Sequence, residues 1–465
     1  MVLCCLLASL ALQTRRARRP SADVANVSLT QPSRFLPPAA PLQLPAGALT
    51  AAPVPQPVPA AASVEIPEID EIMTGAIRRA RTPGAVVVVG RRDGVVFRRA
   101  YGHRAILPRR TEMTVDTVFD LASLTKPLVV GTLAQWLVER GELRLADRVS
   151  TYLPEFGARG KAGITVEQLL LHTSGLPPTN PLRDYKGGPE NARRSTLGSW
   201  LFALPGRQFI YSDVGYIALG ELIERVMGER LDRSAARVIW KPLRMSDTRY
   251  CPSMCRDARI APTELAHGWR KSPILGEVQD PRAHRLGGIA GNAGVFSTAD
   301  DLARFARMLL REGELDGARL LSAESVAQLM LPRQVPLATR ALGWDVLSGF
   351  SLARGHELSA RAVGHGGYTG TSLWIDPVLD VFVIFLSNRN HPYGTGKVTD
   401  LQGQVADAAV RALRPEALRQ ATLELGLQPS DVAGGAAGAL PVQNRNCRAG
   451  EVSCGEASAL RDWGG

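Results

Sequence analysis

Apolar residues concentrate in two hairpin-like stretches near opposite ends of the chain. The stretch "GAVVVVGRRDGVVFRRAYG" (84–102) holds two β-rich runs on either side of Asp93 and Gly94, a dipeptide that favours a tight hairpin turn. The stretch "TSLWIDPVLDVFVIFLSN" (371–388) has the same form. Two apolar hairpins with helical patterns between them predict one mainly antiparallel sheet that is built from both ends of the chain.

Helical patterns fill the middle of the chain. The stretches "LVVGTLAQWLVERGEL" (128–143) and "VGYIALGELIERVMG" (214–228) are both amphipathic. In "STADDLARFARMLLREG" (297–313), Ser297 and Asp300 predict a capping box at the start of a helix. One apolar stripe of that helix is formed by Leu302, Phe305, Ala306 and Leu309.

The composition is typical of a globular protein and does not favour a nucleic-acid partner. The chain has 465 residues, of which 45% are hydrophobic and 21% charged, as in ordinary globular proteins. The net charge of +11 indicates an arginine-rich surface, because only six of the 55 basic residues are lysines. The dense basic run at 15–19 has no interleaved aromatic residues. A nucleic-acid partner is therefore not predicted.

Both ends of the chain differ in composition from the rest. The first residues, "MVLCCLLASLAL", resemble the apolar part of a signal peptide, although the arginines follow this part instead of preceding it. Residues 31–62 are rich in proline and alanine, which favours an extended spacer. We therefore predict a leader and linker over 1–62, a folded domain over 63–415 and a low-complexity tail over 416–465. Export to the periplasm or cell envelope is favoured, with a cytoplasmic location if the N-terminus is not a signal.

The six cysteines form three local pairs, at 4/5, 251/255 and 447/454. The spacing of Cys251 and Cys255, with no histidine nearby, does not suit a zinc site. A disulfide between these two residues and a pair of free thiols are both compatible with the sequence.

One of the rare lysines lies three residues after a serine, in "FDLASLTKPLVV" (119–130). Residues three apart share one face of a helix, and a serine hydroxyl needs a base to become a nucleophile. A desolvated lysine can be that base, whereas arginine is not deprotonated in proteins. Ser123 and Lys126 are therefore a candidate nucleophile and its base, and a neutral amine at Lys126 is the expected form. The pair is weak evidence on its own, because it is short.

Two further stretches carry residues of the right chemistry. In "FIYSDVGY", Tyr211 is suited to shuttle a proton, while a packed loop aromatic is the structural alternative. Asp213 in the same stretch is also a suitable helix N-cap. In "VGHGGYTGTSLWIDP", His365 precedes two glycines at a predicted strand edge, where a ligand backbone can approach. We expect His172, in "LLLHTSG", to order a turn.

The order S-x-x-K, then Y-x-[N/D], then H-x-G before a β-hairpin resembles the serine β-lactamase-like hydrolases. This family includes class C β-lactamases, DD-peptidases and related esterases. Other stretches, such as "ITVEQLLLHTSGLPP" and "GGIAGNAGVFSTADDLARFARMLL", are similar to the same family. The resemblance covers roughly residues 66–413. It implies a mixed α/β (α+β) fold, in which an antiparallel sheet flanked by helices carries an inserted all-helical region. It implies no metal and no organic cofactor.

The resemblance also implies roles for the site residues. Ser123 would be acylated, and Lys126 and Tyr211 would share the work of general base and acid. His365 would stand where many relatives have a lysine. The backbone N–H groups of Ser123 and Tyr368 would form an oxyanion hole. Asp213, Gly366 and Gly367 would contact the substrate.

Two departures from the family pattern bear on the substrate. Asp213 stands where asparagine is frequent, and His365 replaces a permanent cation. An added anion and a lost cation both weaken binding of a substrate carboxylate. We therefore expect weak β-lactamase activity and better turnover of uncharged esters or amides, unless a cation such as Arg389 restores the missing charge.

Three functions are compatible with these residues. The first is an acyl-enzyme hydrolase of esters, D-amino-acid peptides or β-lactams. The second is a penicillin- or peptidoglycan-binding protein of the same fold without turnover. The third is a cell-wall scaffold that the linker holds away from a membrane. The expected partner is a small-molecule or peptide substrate, with a possible association with the cell envelope. The oligomeric state is left open.

Overall fold

The structure of this protein is a computed structural model, which describes residues 63–251, 255–265 and 274–425, with the backbone alone for 415–425. The predicted leader and linker, and the part of the predicted tail after residue 425, lie outside the described residues. Within the described ranges, no helix is long and apolar enough to cross a membrane. The predicted domain end at 415 falls inside the last helix, which continues to Leu425.

The largest sheet has nine strands in the order β3-β2-β1-β14-β13-β12-β11-β10-β9, each antiparallel to its neighbours. The strands of the described chain are β1 Gly84–Arg91, β2 Gly94–Ala105, β3 Thr111–Glu112, β4 Phe119–Asp120, β5 Arg249–Tyr250, β6 Val295–Ser297, β7 Glu314–Leu315, β8 Ala318–Arg319, β9 Arg333–Val335, β10 Ala338–Arg340, β11 Asp345–Leu347, β12 Val363–Gly367, β13 Thr371–Asp376 and β14 Val381–Ser387.

Helices cover the sheet and form the region between β4 and β6. The α-helices are α1 Pro67–Arg78, α2 Thr132–Glu139, α3 Val149–Tyr152, α4 Val166–Leu170, α5 Pro189–Leu197, α6 Asp213–Met227, α7 Leu231–Ala235, α8 Pro281–Arg285, α9 Ala299–Leu310, α10 Ala323–Met330 and α11 Thr399–Leu425. The inserted region was predicted to be all-helical, but it also contains the two-residue strand β5, which pairs with β6.

The sheet is assembled from both ends of the chain, as the two apolar hairpins predicted. Strands β1 and β2 form the first hairpin, and β13 and β14 form the second. The two hairpins join where β1 pairs with β14, with Val86 opposite Leu386. This pairing places the first and last long strands side by side, so the sheet joins the two ends of the domain.

Both faces of the central strands are buried. In β1, Val86 and Val88 belong to the core shared with α9 and the helical region. Ala85, Val87 and Val89 point to the opposite face, which α1 and α11 cover. The alternation of side chains along a strand explains why an unbroken apolar run is required here.

Two predicted helix starts are shifted by one residue. The cap of α9 is Thr298, whose side chain accepts the backbone N–H of Asp301, because Ser297 is still part of β6. The cap of α6 is Ser212, whose hydroxyl accepts the N–H of Gly215. Asp213 is thus the first residue of α6 and not its cap, which leaves its carboxylate available for the site described below.

Candidate active site

Ser123 and Lys126 are in direct contact at the start of the helical region. Ser123 lies in a 3₁₀ turn, Ala122–Leu124, and Lys126 opens the π-helical turn that leads into α2. The Nζ atom of Lys126 donates to Ser123 Oγ over 2.9 Å and to the Asn292 carbonyl over 3.1 Å. The lysine side chain is fully buried. The predicted pair is therefore brought together inside the protein.

The turn that carries Ser123 is held in an uncommon conformation. Ala122 has a φ of +47°, a backbone conformation that residues other than glycine rarely adopt. The Asp120 carboxylate accepts the Ala122 N–H over 2.8 Å and the Gln279 N–H over 2.6 Å. Burial raises the pKa of the Asp120 carboxyl to about 7. These bonds fix the backbone immediately before Ser123, and sequence reasoning did not identify Asp120.

Strand β12 and its turn are tied to the same backbone. The hydroxyls of Thr369 and Thr371 donate to the carbonyls of Asp120 and Leu121 over 2.7 and 3.1 Å. A side chain at Gly367 would collide with the Leu121 carbonyl. Glycine is thus required at this position for close approach, which is a structural reason in addition to the predicted contact with substrate.

Tyr211 lies beside Lys126, with its ring centroid 4.8 Å from Nζ. Burial raises the pKa of its phenol, and hydrogen bonds from Lys126 and Ser123 oppose this shift without reversing it. Tyr211 is therefore a neutral phenol next to both predicted partners.

His172 positions Tyr211, so its function is more specific than the predicted ordering of a turn. The two rings are 4.4 Å apart between centroids, and His172 Nδ1 accepts the Ser212 N–H over 3.0 Å. Burial, together with the charges of Arg340 and Lys126, holds the pKa of His172 well below its usual range. A neutral imidazole is the form that can accept this bond.

Asp213 forms an ion pair with Lys126, and this changes the expected state of the lysine. The distance from Nζ to Oδ1 is 2.7 Å. Burial lowers the pKa of Lys126, but the charge of Asp213 and the interaction with Tyr211 outweigh burial, and the pKa lies above its usual value. The ion pair with Asp213 therefore favours the ammonium form of Lys126 over the neutral amine that the sequence led us to expect. Asp213 faces the lysine directly.

His365 completes the wall of the site as a neutral group. Its ring centroid is 5.9 Å from that of Tyr211, and its side chain is almost completely buried. Burial, with Arg340 and Lys126 nearby, holds the pKa of His365 well below its usual range. The position that the family resemblance associates with a cation carries none in this chain at neutral pH.

Tyr368 and Gly366 lie at the open end of the site. Tyr368 follows β12, and its side chain is 57% exposed. Arg389 donates from Nε to the Tyr368 carbonyl over 2.6 Å, with its guanidinium 4.5 Å from the Tyr368 ring centroid. Arg389 is thus a cation beside the outer end of the site. Strand β12 pairs with β11 at Gly364, and Gly366 is exposed.

The sequence did not predict that Phe350 and Phe209 border the site beside Tyr211. Phe350 is 58% exposed, and its ring centroid lies 5.1 Å from that of Tyr211 and 6.3 Å from that of Phe209. Three aromatic rings therefore line one side of the entrance. The segment around Phe350 has no repeating pattern, so no sequence signal marked it.

Sequence reasoning also missed two polar residues behind Lys126. The Asn292 carbonyl contacts Lys126, and Asn292 Nδ2 donates to Asp280 Oδ1 over 3.2 Å. Burial and the nearby Asp213 charge raise the pKa of Asp280. The glycine-rich run 285–296 was the available signal, because its tight turns allow the backbone to reach the lysine.

The match to a family model agrees with this geometry. The model described as Beta-lactamase matches residues 69–408. The chain therefore belongs to the β-lactamase family, and the predicted family is confirmed.

Curated relatives extend across most of the domain. An N-acetylmuramyl-L-alanine amidase of Bacillus subtilis (strain 168) is 33% identical over 347 residues, which cover 66% of this chain and 78% of that protein. A protein of Salmonella agona (strain SL483), provisionally named a D-alanyl-D-alanine carboxypeptidase, is 32% identical over 352 residues, with 68% and 81% covered.

Solved structures confirm the predicted fold. EstCE1, a hydrolase with promiscuous acyltransferase activity, superposes with a TM-score of 0.58 at 24% identity, over 74% of this chain and 97% of that one. Simvastatin synthase (LovD) of Aspergillus terreus gives a TM-score of 0.60 at 22% identity, over 76% and 99%.

Proposed function

We propose that the protein is a serine hydrolase that cleaves ester or amide bonds through a covalent acyl-enzyme on Ser123. The observation that carries this proposal is the contact of 2.9 Å between Lys126 Nζ and Ser123 Oγ, next to Tyr211 in a buried pocket. Nucleophile and base within hydrogen-bond reach are the signature of covalent catalysis.

The proposed reaction has two halves. Ser123 Oγ attacks the substrate carbonyl carbon while its proton passes to Lys126, directly or through the Tyr211 hydroxyl. The same relay returns the proton to the leaving alcohol or amine, which leaves the acyl group on Ser123. A water molecule then attacks the acyl-enzyme ester and gives a proton to the relay, which passes it to Ser123 Oγ as the bond to the acyl carbon breaks and the acid is released. The relay must begin from a neutral lysine, so Lys126 must first lose the proton that the Asp213 charge favours.

The developing oxyanion would be bound by the backbone N–H groups of Ser123 and Tyr368. The ties from Thr369 and Thr371 to the carbonyls of Asp120 and Leu121 support this role. They fix the turn after β12 against the turn of Ser123 before any substrate arrives. Preorganised donors of this kind are usually the largest contribution to acyl transfer.

We further propose that the substrate is a cell-envelope peptide or a related small molecule. The names of the relatives refer to an amide beside an N-acetylmuramyl group and to a D-alanyl peptide bond. Cleavage of either bond is an acyl-transfer reaction, so the same residues suit ester, amide and peptide substrates. Location in the cell envelope follows as part of this proposal.

The test of the proposed function is covalent labelling of the intact protein. A fluorophosphonate probe and a labelled penicillin are incubated with the wild type and with Ser123→Ala, and the products are measured by mass spectrometry. We expect an adduct on Ser123 in the wild type and none in the variant. The absence of any adduct on folded wild-type protein would instead support a binding protein without turnover.

We expect a neutral short-chain ester to be hydrolysed faster than a cephalosporin. Neutral His365 supplies no charge for the cephalosporin carboxylate, and the Asp213 carboxylate already neutralises Lys126. Each effect weakens carboxylate binding by about 1 kcal/mol or more in a desolvated site. The measurement is kcat/KM for both substrates. Faster cephalosporin hydrolysis that is lost in Arg389→Gln would contradict this prediction and would assign the missing cation to Arg389.

A further inference from the structure

Three large apolar side chains project from the loop between α5 and α6. Trp200, Phe202 and Leu204 are 69%, 72% and 71% exposed, while Leu201 and Ala203 between them are partly buried. The chain bends at Phe202 and Ala203, whose backbone N–H groups both donate to the Gly175 carbonyl. We call Trp200, Phe202 and Leu204 the apolar tip.

The loop is anchored, so the exposure of the tip is a property of the folded state. The fully buried Lys161 donates from Nζ to the Ser199 carbonyl over 2.7 Å. The backbone N–H of Phe202 donates to the Gly175 carbonyl over 2.8 Å. The chain is thus held on both sides of Trp200, and the tip cannot be dismissed as a frayed end.

Cations surround the tip. A cleft of about 670 Å³ opens beside it, and its lining includes Arg159, Arg183 and Arg194 with Trp200 and Phe202. The Arg159 guanidinium lies 4.9 Å from the Trp200 ring centroid. Arg159 also donates to the Gly198 carbonyl.

The balance of charge in this cleft is positive. Asp184 is the single acidic residue in its described lining, against the three arginines. Asp184 accepts a hydrogen bond from Asn180 Nδ2 over 3.2 Å. Arg207, three residues after Leu204, is exposed as well. An anionic surface is therefore the electrostatic complement of this face.

We propose that the apolar tip is a peripheral membrane-contact site for an anionic lipid bilayer. Trp200, Phe202 and Leu204 insert at the boundary between headgroups and acyl chains, and Arg183 and Arg194 contact lipid phosphates. Aromatic and aliphatic side chains bordered by arginine are the composition of interfacial membrane-binding segments. A protein partner is disfavoured by size, because a stable interface uses roughly 20–30 residues on each side.

The site would hold the enzyme with its catalytic wall close to the membrane. Pro177 also lines the cleft, and Ser212 Oγ donates to the Pro177 carbonyl over 2.6 Å. Ser212 lies between Tyr211 and Asp213, so one segment of chain separates the cleft from the active site. This proposal does not depend on the chemistry proposed for Ser123.

The test is sedimentation of the full-length protein with vesicles. Vesicles of phosphatidylglycerol and phosphatidylcholine are compared with pure phosphatidylcholine. We expect the triple variant Trp200→Ser/Phe202→Ser/Leu204→Ser to weaken binding to the anionic vesicles at least tenfold. Arg183→Gln/Arg194→Gln weakens binding at low salt and reduces its salt dependence. Leu337→Ser/Val378→Ser, which removes two other exposed apolar side chains, is the matched control and binds as the wild type does.

A second measurement assigns the contact to the tip itself. Brominated lipids quench the fluorescence of an inserted tryptophan. Trp200→Phe should keep vesicle binding but lose most of the quenching. Residues 1–62 are present in every variant, so a contribution from them is constant. Circular dichroism and thermal unfolding establish that each variant is folded.

Three results would overturn the proposal. The first would be a wild type that does not bind anionic vesicles. The second would be a folded triple variant that binds them as tightly as the wild type. The third would be a dimer, seen by sedimentation velocity, that the apolar tip mediates without lipid binding.

Discussion

Replacing Lys126 by arginine is expected to lower kcat/KM on the best ester or amide substrate by about 10²–10⁴-fold, the range of a general base. Arginine keeps the positive charge that pairs with Asp213, but it does not release a proton at any accessible pH. The substitution therefore separates the role of the base from the role of the charge. Steady-state kinetics at several pH values provide the measurement.

Two further variants make this result interpretable. Arginine is larger than lysine, and overpacking of a buried position costs about 1–3 kcal/mol, so unfolding by denaturant must be measured on the same samples. Lys126→Met has a comparable shape without a charge, and it should be as slow as the arginine variant. Lys241→Arg makes the same exchange at an exposed lysine and should leave the rate unchanged. If Lys126→Arg kept more than a tenth of the wild-type rate, Lys126 would not be the base.

The candidate site residues could be named from the sequence because each lies in a short motif that is recognisable from its immediate neighbours. Ser123 and Lys126 are three residues apart, so one helical turn brings them together whatever the rest of the chain does. His365 and Tyr368 follow from the turn before a hairpin that is apolar enough to recognise by itself. The two hairpins also predicted the sheet, because two apolar runs joined by turn residues specify the pairing of neighbouring strands.

The relation between Lys126 and Asp213 could not be predicted in the same way. The two residues are far apart in sequence, and their contact depends on where α6 begins. Asparagine, serine, threonine and aspartate are all acceptable caps, so "YSD" alone does not specify whether Ser212 or Asp213 occupies the cap. The structure assigns the cap to Ser212 and turns the Asp213 carboxylate toward the lysine. The shift of the α9 cap from Ser297 to Thr298 has a related cause, because β6 extends through Ser297 to pair with Phe119.

The contacts to Asn292 and Phe350 lay beyond sequence reasoning for a different reason. Asn292 contacts Lys126 through its backbone carbonyl. Every residue has such a carbonyl, so the residue type at position 292 does not indicate the contact. Phe350 reaches Tyr211 from the segment after β11, where local pattern carries no information on the distance to another segment. Sites assembled from backbone atoms and loops require the tertiary structure.

Replacing Asp213 by asparagine is expected to move the acidic limb of the kcat/KM profile to lower pH by about one to three units. That limb reports the pKa of the essential base in the free enzyme, and the Asp213 charge holds the pKa of Lys126 above its usual value. Without this charge, burial lowers the pKa of the lysine, and the neutral amine exists at lower pH.

The same substitution has an expected effect on stability with a definite sign. Because the pKa of Lys126 is raised in the folded state, the ion pair stabilises the fold below the unfolded-state pKa of about 10.4. This contribution disappears as the pH rises through the raised folded-state pKa. Asp213→Asn should therefore lower the free energy of unfolding most at neutral pH, and the difference between the two proteins should shrink as the pH rises past about 10.4. Denaturant titrations of both proteins at pH 7 and pH 11 measure this change.

Asp280 sets the size of the shift in the Asp213→Asn profile. Burial and the charge of Asp213 raise the pKa of Asp280, so removing Asp213 favours ionisation of Asp280, which returns part of the negative charge to the pocket. The double variant Asp213→Asn/Asp280→Asn should then shift the acidic limb further than Asp213→Asn alone. Asp280 caps α8 by accepting the N–H groups of Arg282 and Ala283, and asparagine can keep this cap. Asp213→Glu, which keeps the charge, should leave the limb near its wild-type position. An acidic limb that stays in place in both asparagine variants would mean that the ion pair does not control the protonation of the base.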